Sequence, residues 1–337
     1  MNTPRFVHLR LHSEYSVADG IVRIDEAVNH AAQDHMPALA LTDSGNLFGM
    51  VKFYKAARQA GVKPVIGADC WVQNALDRDK PSRILLLAAS RAGYLRLCEL
   101  LSRAWLTNQH RSRAEIDKAW FGEGGTEGLI ALSGANGGDI GQALVADNLP
   151  AAEKLAREWA ALFPRRFYLE LQRAGHPQTE TLVARTVKLA TKLKLPVVAT
   201  HPVQFVSADD FKAHEARVCI SQGYVLGDQR RPKHFTPEQY FKTQEEMAAL
   251  FADIPQALQN AVEIARRCNL TIELGKSRLP EFPTPKGVTI DDYLHRLSDE
   301  GLQVRLGKLY PDQVVREANA ARYGERLEFE KIGRAHV

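Results

Sequence analysis

Short, continuously apolar runs recur along this chain between amphipathic helical stretches, and that alternation restricts the fold more than any other feature of the sequence. The runs are ALALT at 38–42, VIGA at 65–68, ILLLA at 84–88, LIAL at 129–132, FYLEL at 167–171 and VVAT at 197–200. Pro37, Pro64 and Pro196 stand just before three of them, where any preceding helix must already have ended. The stretches between have a helical period: 24–35 carries Ala27, Val28, Ala31 and Ala32 on one side, and 178–193 repeats Leu182, Val183, Thr186, Leu189 and Ala190. With the opening FVHLRLH at 6–12 counted as the first, the strands number seven. Apolar strands that alternate with helices pair in parallel with the helices outside, and seven units favour a closed barrel over an open sheet.

Composition enters mainly by exclusion. Of 337 residues 45% are apolar and 25% charged, which excludes a disordered chain and supplies an ample core. No run of about 18 apolar residues is present, and the first residues lack the charged start and apolar core of an export signal. A cytoplasmic protein with no membrane partner is expected. A net charge of +4 and a pI near 8.8 permit contact with nucleic acid without indicating it. Cys70, Cys98, Cys219 and Cys268 are far apart and form no CxxC pair, so they read as reduced structural thiols.

In parallel α/β folds, sites form where strands run out into loops at their C-terminal edges. Asp43 and Ser44 follow the second strand, Asp69 closes the third, Ser133 and Gly134 follow the fifth, Gln172 the sixth, and His201 with Gln204 the seventh. Taken singly, an Asp or Ser after a strand is a turn former or a helix cap. Their recurrence at strand after strand points instead to a polar pocket. The first strand adds to it: His8, Arg10 and His12 alternate with Val7, Leu9 and Leu11, so a period of two puts all three on one face, with Asp19 just downstream.

The segments HLRLHSEYSVADG at 8–20, ALTDSGNLFGMVKFYKAARQAGVKPVIGAD at 40–69, LIALSG at 129–134, YLELQRAG at 168–175 and LPVVAT at 195–200 carry a resemblance. Together they resemble the polymerase and histidinol phosphatase (PHP) domain that opens alpha subunits of the bacterial DNA polymerase III family, the C family of replicative polymerases. ADIPQALQNAVEIARRCNL at 252–270 is similar to the helices that close that domain, and LPEFP at 279–283 to the lead into the polymerase palm. The resemblance implies a distorted (β/α)7 PHP barrel of mostly parallel strands with outer helices, followed by a partial helical lead into the palm. It also implies that the full subunit copies primer–template DNA with Mg2+ held by palm carboxylates beyond this chain, so no catalytic residue and no cofactor is expected in this segment. The implied partners are the epsilon proofreading exonuclease, held through its C-terminal tail, and the remaining subunits of the polymerase III holoenzyme.

Members of the family with an active site hold three divalent metals at the strand ends and hydrolyse phosphoesters. This sequence keeps His12, Asp19 and Asp43 of that pattern. Arg10 stands where the first His of a His-x-His pair belongs, Ser44 where TDHGN has His, and Asp69 where the family has Glu. Ala135 takes a Cys position, Ala174 a His position, and Pro202 and Gln204 the positions of an Asp and a His. Three metals need roughly nine donors, and a guanidinium puts a permanent cation where a cation would bind. The expectation is a vestigial pocket of Arg10, His12, Asp19, Asp43, Ser44, Asp69, His201 and Gln204 with no metal, His201 being a satisfied loop residue and not a replacement ligand. Without metals, Asp19, Asp43 and Asp69 require a counter-charge, so Arg10 is expected to bond at least one of them, with His12 and Ser44 completing the network. Two functions of different class follow: a scaffold and partner-binding platform at the front of a replicative polymerase, or a working metal-dependent phosphoesterase, as exonuclease or pyrophosphatase. The lost donors favour the first.

Weaker features complete the reading. GDQRRPKHF at 227–235 is a basic loop, placed before a helix opened by Thr236, Pro237 and Glu238, and it suits solvent or another domain better than nucleic acid. GEGG at 122–125 lacks a following lysine and reads as a flexible connection. The Pro- and Gly-rich stretch 275–287 is the best linker, giving a PHP domain over 1–275 and a truncated start of the palm region over 276–331. The final IGRAHV, 332–337, is expected to be a non-native tail that packs on nothing.

Overall fold

Each apolar run becomes a strand whose side chains are buried on both faces. The computed structural model describes residues 5–276 and 282–334. The chain divides into two compact units, Met1–Ile272 and Glu273–Val337. In the first, eight strands make one sheet: β1 (Ala38–Leu41), β2 (Lys63–Val72), β3 (Ser82–Ala88), β4 (Gln109–His110), β5 (Arg113–Ile116), β6 (Leu129–Leu132), β7 (Phe167–Gln172) and β8 (Val197–Thr200). β1 pairs in parallel with the first half of β2, β3 and β6 follow antiparallel, and β6, β7 and β8 run parallel.

The opening stretch closes the ring. Ala40 N donates to His8 O at 2.9 Å, Thr42 N to Leu11 O at 3.0 Å and His12 N to Val203 O at 3.0 Å, so residues 8–12 bridge β1 to the chain just past β8. Only Leu11 and Val203 form a parallel bridge there, and the stretch is extended chain and not the regular strand expected. It still acts as a stave beside β1, β2, β3, β6, β7 and β8. The helices Ile24–Gln33, Met50–Gln59 and Pro255–Arg267 each turn an apolar stripe inward. Trp159, Phe121, Phe163 and Phe167 pack ring against ring in a second apolar cluster.

Three expectations are corrected. The run at 84–88 does not pair in parallel: β3 is antiparallel to both neighbours, because only nine residues separate it from β2, too few for a helical crossover. The stretch 236–238 forms no helix; it is drawn to the barrel edge, where Gln204 N donates to Gln239 O and Phe205 pairs with Tyr240. The next helix is Gln244–Leu250, opened by Thr243, whose hydroxyl accepts Glu246 N while the Glu246 carboxylate accepts Thr243 N. Residues 122–124 belong to the short helix Trp120–Gly124, whose following loop is tied down by Arg96 Nε donating to Gly125 O at 3.1 Å.

The second unit contains the helices Ile290–Leu309 and Gln313–Arg334. Leu306 of the first is buried, and Lys331 of the second reaches Asp299 and Glu328 at 2.7 Å each. Part of the expected linker and of LPEFP lies outside the described residues, as do the side chains of the final IGRAHV. No helix among the described residues is long and apolar enough to cross a membrane.

Candidate functional site

Arg10 leaves the opening stretch into the mouth of the barrel, where it is 5% exposed. Its Nε and Nη2 donate to the two carboxylate oxygens of Glu170 at 2.9 and 3.1 Å, and its Nη1 donates to Asp69 Oδ2 at 2.5 Å. This is a planar fork fitted to one carboxylate and bridged to a second. Glu170, near the end of β7, also accepts Gln172 Nε2 at 2.9 Å, the Thr200 hydroxyl, and Gly134 N at 3.0 Å. Gly134 has φ +79°, and a Cβ there would meet Arg83 O at 2.4 Å, so only glycine brings that N–H to the carboxylate without strain.

Asp69 closes the network on its other side. Besides Arg10, its Oδ2 takes His12 Nε2 and Arg83 Nη1, both at 3.2 Å. The Arg83 guanidinium lies 3.6 Å from the centre of the Trp71 ring. His12 Nδ1 bonds Asp19 Oδ1 at 2.9 Å, with the Gln204 amide 3.3 Å away. Burial alone would raise the Asp69 carboxyl, but Arg10, then Arg83 and His12, hold it well below the usual carboxylate range. Burial disfavours the charge on His12, yet Asp19 and then Asp69 raise it to about 9. Asp19 is lowered in turn, His12 outweighing its burial.

Asp43 has different company. Its Oδ1 accepts Ser13 N at 2.7 Å, Ser13 Oγ at 2.9 Å and Ser16 Oγ at 2.8 Å, with no cation in hydrogen-bond contact among the described residues. Burial pushes its carboxyl up, and the Ser16 hydroxyl only partly offsets that. Ser44 donates its N–H to Ser16 Oγ at 3.1 Å and accepts Arg83 Nη1 at 3.1 Å.

Of the residues read from sequence, Arg10, His12, Asp19, Asp69 and Gln204 meet in one network, and Ser44 joins it through Arg83. Asp43 lies beside it, but its carboxylate bonds none of them, so Arg10 answers Asp69 and not all three aspartates. His201 is turned away, since Thr200 before it faces Glu170 and successive residues of an extended chain alternate. The His201 ring lies 6.1 Å from that of His8, and burial drives its pKa well below the ordinary value. His8 does not share the face of Arg10: its Nε2 bonds Lys242 O at 2.7 Å, and its ring packs on Phe6 and Phe241. The period of two fails there because the opening stretch is not a regular strand. Glu170 and Arg83 were missed. Glu170 is a lone charge inside an apolar run, a buried-charge signal in itself. Arg83 begins an antiparallel strand, so its N-terminal end, not its C-terminal one, reaches the mouth.

A seven-stave barrel with an interrupted polar mouth defines the class. Residues 8–174 match the PHP domain, and the chain contains that domain. Over 332 residues it is 52% identical to the DNA polymerase III subunit alpha of Neisseria meningitidis serogroup A, and over 330 residues 46% identical to that of Escherichia coli strain K12. Each alignment covers 98% of this chain, which is thus homologous to the N-terminal region of these subunits and spans 29% and 28% of their lengths. A solved structure described as a putative metal-dependent phosphoesterase from Bifidobacterium adolescentis aligns with 60% of this chain and 88% of its own, at TM-score 0.38 and 11% identity.

The donors present do not fit a PHP metal cluster. Both oxygens of Glu170 and Oδ2 of Asp69 are taken by the Arg10 fork, and both nitrogens of His12 face carboxylates. Two guanidiniums stand where metal charge would lie. Among the described residues, no three His, Cys, Asp or Glu side chains are grouped so as to hold a metal ion.

Proposed function

We propose that this chain is the PHP part of the alpha subunit of a replicative DNA polymerase, and that it serves as scaffold and partner-binding platform, not as a phosphoesterase. The observation that carries this reading is the bridge from Arg10 to Glu170 and Asp69, which fills the old metal position with a covalently fixed cation. The pocket of Arg10, His12, Asp19, Asp69 and Gln204 is then structural. The PHP domain occupies residues 1–275, and the polymerase carboxylates with their Mg2+, the primer–template site and the other holoenzyme contacts belong to the longer cytoplasmic subunit. A domain that lacks its own nuclease chemistry suits a separate proofreading exonuclease, and the epsilon subunit, held by its C-terminal tail, is the partner proposed.

The test uses the chain as purified, with its metal content measured by elemental analysis and epsilon added in a pull-down. Epsilon should be retained, metal should be well below one equivalent, and primer extension should be absent. Stoichiometric metal together with hydrolysis of a phosphoester would establish the phosphoesterase instead.

A further inference from the structure

Two pieces of chain cover the polar mouth, and each sits there under an unrelieved cost. The first is the strap 13–20. Ala18 N donates to Ser16 O at 2.7 Å, closing a three-residue turn on Val17, whose φ of 64° and ψ of −55° are those of the rare, strained γ-turn. A β-branched residue adopts that conformation only under compulsion, and the Val17 side chain, 61% exposed, contributes little packing to hold it. The turn is held from outside. Arg217 Nε donates to Val17 O at 2.7 Å and its Nη2 to Glu14 O at 3.5 Å, while Asn46 Nδ2 donates to Tyr15 O at 2.9 Å. The second piece is the helix Phe211–Gln222, which supplies Arg217 and docks through His214, Val218 and Cys219, all buried. The His214 ring packs on those of Phe205 and Phe235, at 5.3 and 4.6 Å, and neither of its nitrogens is hydrogen-bonded among the described residues. Buried polar atoms without partners weaken that docking.

Strain in the strap and unmet polar atoms under the helix both reduce what it takes to lift these pieces, and Arg217 ties one to the other. Local opening draws on the least stable parts of a fold. We propose that the strap 13–20 and the helix Phe211–Gln222 form one cover that lifts from the barrel mouth as a unit, with Arg217 as the tie and the barrel still folded. Lifting parts Asp19 from His12, and Ser13 and Ser16 from Asp43, because Asp19 and the two serines travel with the strap. The bridge from Arg10 to Glu170 and Asp69 stays closed, since its residues belong to the opening stretch, β7 and β2. The mouth therefore has a movable face and a fixed one, and solvent reaches His12 and Asp43 without unfolding of the core.

Two buried thiols report the motion, Cys219 on the cover helix and Cys70 in β2. The whole chain is pulsed with iodoacetamide without denaturant, labelling is read at each cysteine by peptide mass spectrometry, and amide exchange over 14–19 and melting temperature are followed in parallel. Cys219 should label about tenfold faster than Cys70 or more, with exchange over 14–19 keeping pace. Val17→Gly relieves the turn and should slow labelling of Cys219 about fivefold or more, at a melting temperature no lower than that of the unmodified chain, although Val17 is not on that helix. In an Arg217→Ala background the same change should leave Cys219 labelling as it was. Equal labelling of Cys219 and Cys70 would mean that only global unfolding exposes them, and would overturn the cover. Labelling of Cys219 at its original rate in Val17→Gly, whatever happens over 14–19, would overturn the single unit and its tie.

Discussion

Asp69 and Asp43 lie side by side in the barrel mouth, Asp69 N donating to Asp43 O at 3.1 Å, and both are buried, yet their carboxyls are displaced in opposite directions. Asp69 faces Arg10, Arg83 and His12 and stays ionised. Asp43 faces two serine hydroxyls and one backbone N–H, and the desolvation of its charge is not fully offset. Hydrogen bonds satisfy lone pairs, but a formal counter-charge decides which form is buried. The stability of the pocket is therefore concentrated in its Arg10 half.

Breaking that half gives the largest expected effect. Arg10→Ala leaves Glu170 and Asp69 buried without their shared cation and should cost roughly 3 to 5 kcal/mol in denaturant unfolding, the range for stripping one partner from a buried ion pair. A midpoint that does not move would place the bridge outside the energetics of the fold.

The alkaline limb sharpens the same half. His12 has its folded pKa raised to about 9, so its contribution is fully present below the unfolded value of 6.5 and is lost as pH rises through about 9. Stability should decline across that window by up to about 3 kcal/mol, since each tenfold gain in proton affinity on folding is worth about 1.4 kcal/mol. His12→Gln should flatten this part of the curve; an unaltered slope would show that His12 is not charged in the fold.

The Asp43 half should respond least, and with the opposite sign in acid. A lowered carboxyl such as Asp69 contributes stability above its unfolded pKa of about 3.9 and loses it as pH falls below; the raised Asp43 loses its contribution as pH rises from that value through its own raised pKa. Asp43→Asn keeps the Oδ1 that accepts the Ser13 and Ser16 donors, so it should change stability at neutral pH by about 1 kcal/mol or less. A loss as large as that of Arg10→Ala would erase the distinction between the halves.

The parts of this arrangement legible in the sequence are those that local period governs. Apolar runs flagged the staves, and strand-end position flagged Asp69 and Gln204, because both rules depend only on extended backbone and on parallel order. Arg83 escaped for the reason that β3 did: direction is set by the nine-residue connection from β2, which the apolar pattern of β3 does not reveal. The β4–β5 hairpin escaped because it turns on Arg111 and Ser112 at φ 48° and 63°, where glycine or asparagine would have given the signal. Glu170 sat inside FYLEL, where the apolar neighbours argued for core and the charge was the exception that marked the site. His201 was drawn into the expected pocket by position alone, and its alternation with Thr200 turns it out again.

The central claim is that Arg10 supplies the positive charge for the carboxylates of the barrel mouth. A double-mutant cycle on Arg10→Met and Asp69→Asn, read by denaturant unfolding at pH 7, tests it directly. Arg10→Met takes the shared cation from Asp69 and Glu170, and Asp69→Asn takes from Arg10 one of its two carboxylates, so both should be destabilising, whereas the pair should cost less than the sum by about 2 kcal/mol or more. Additive costs, with a coupling indistinguishable from zero, would contradict it.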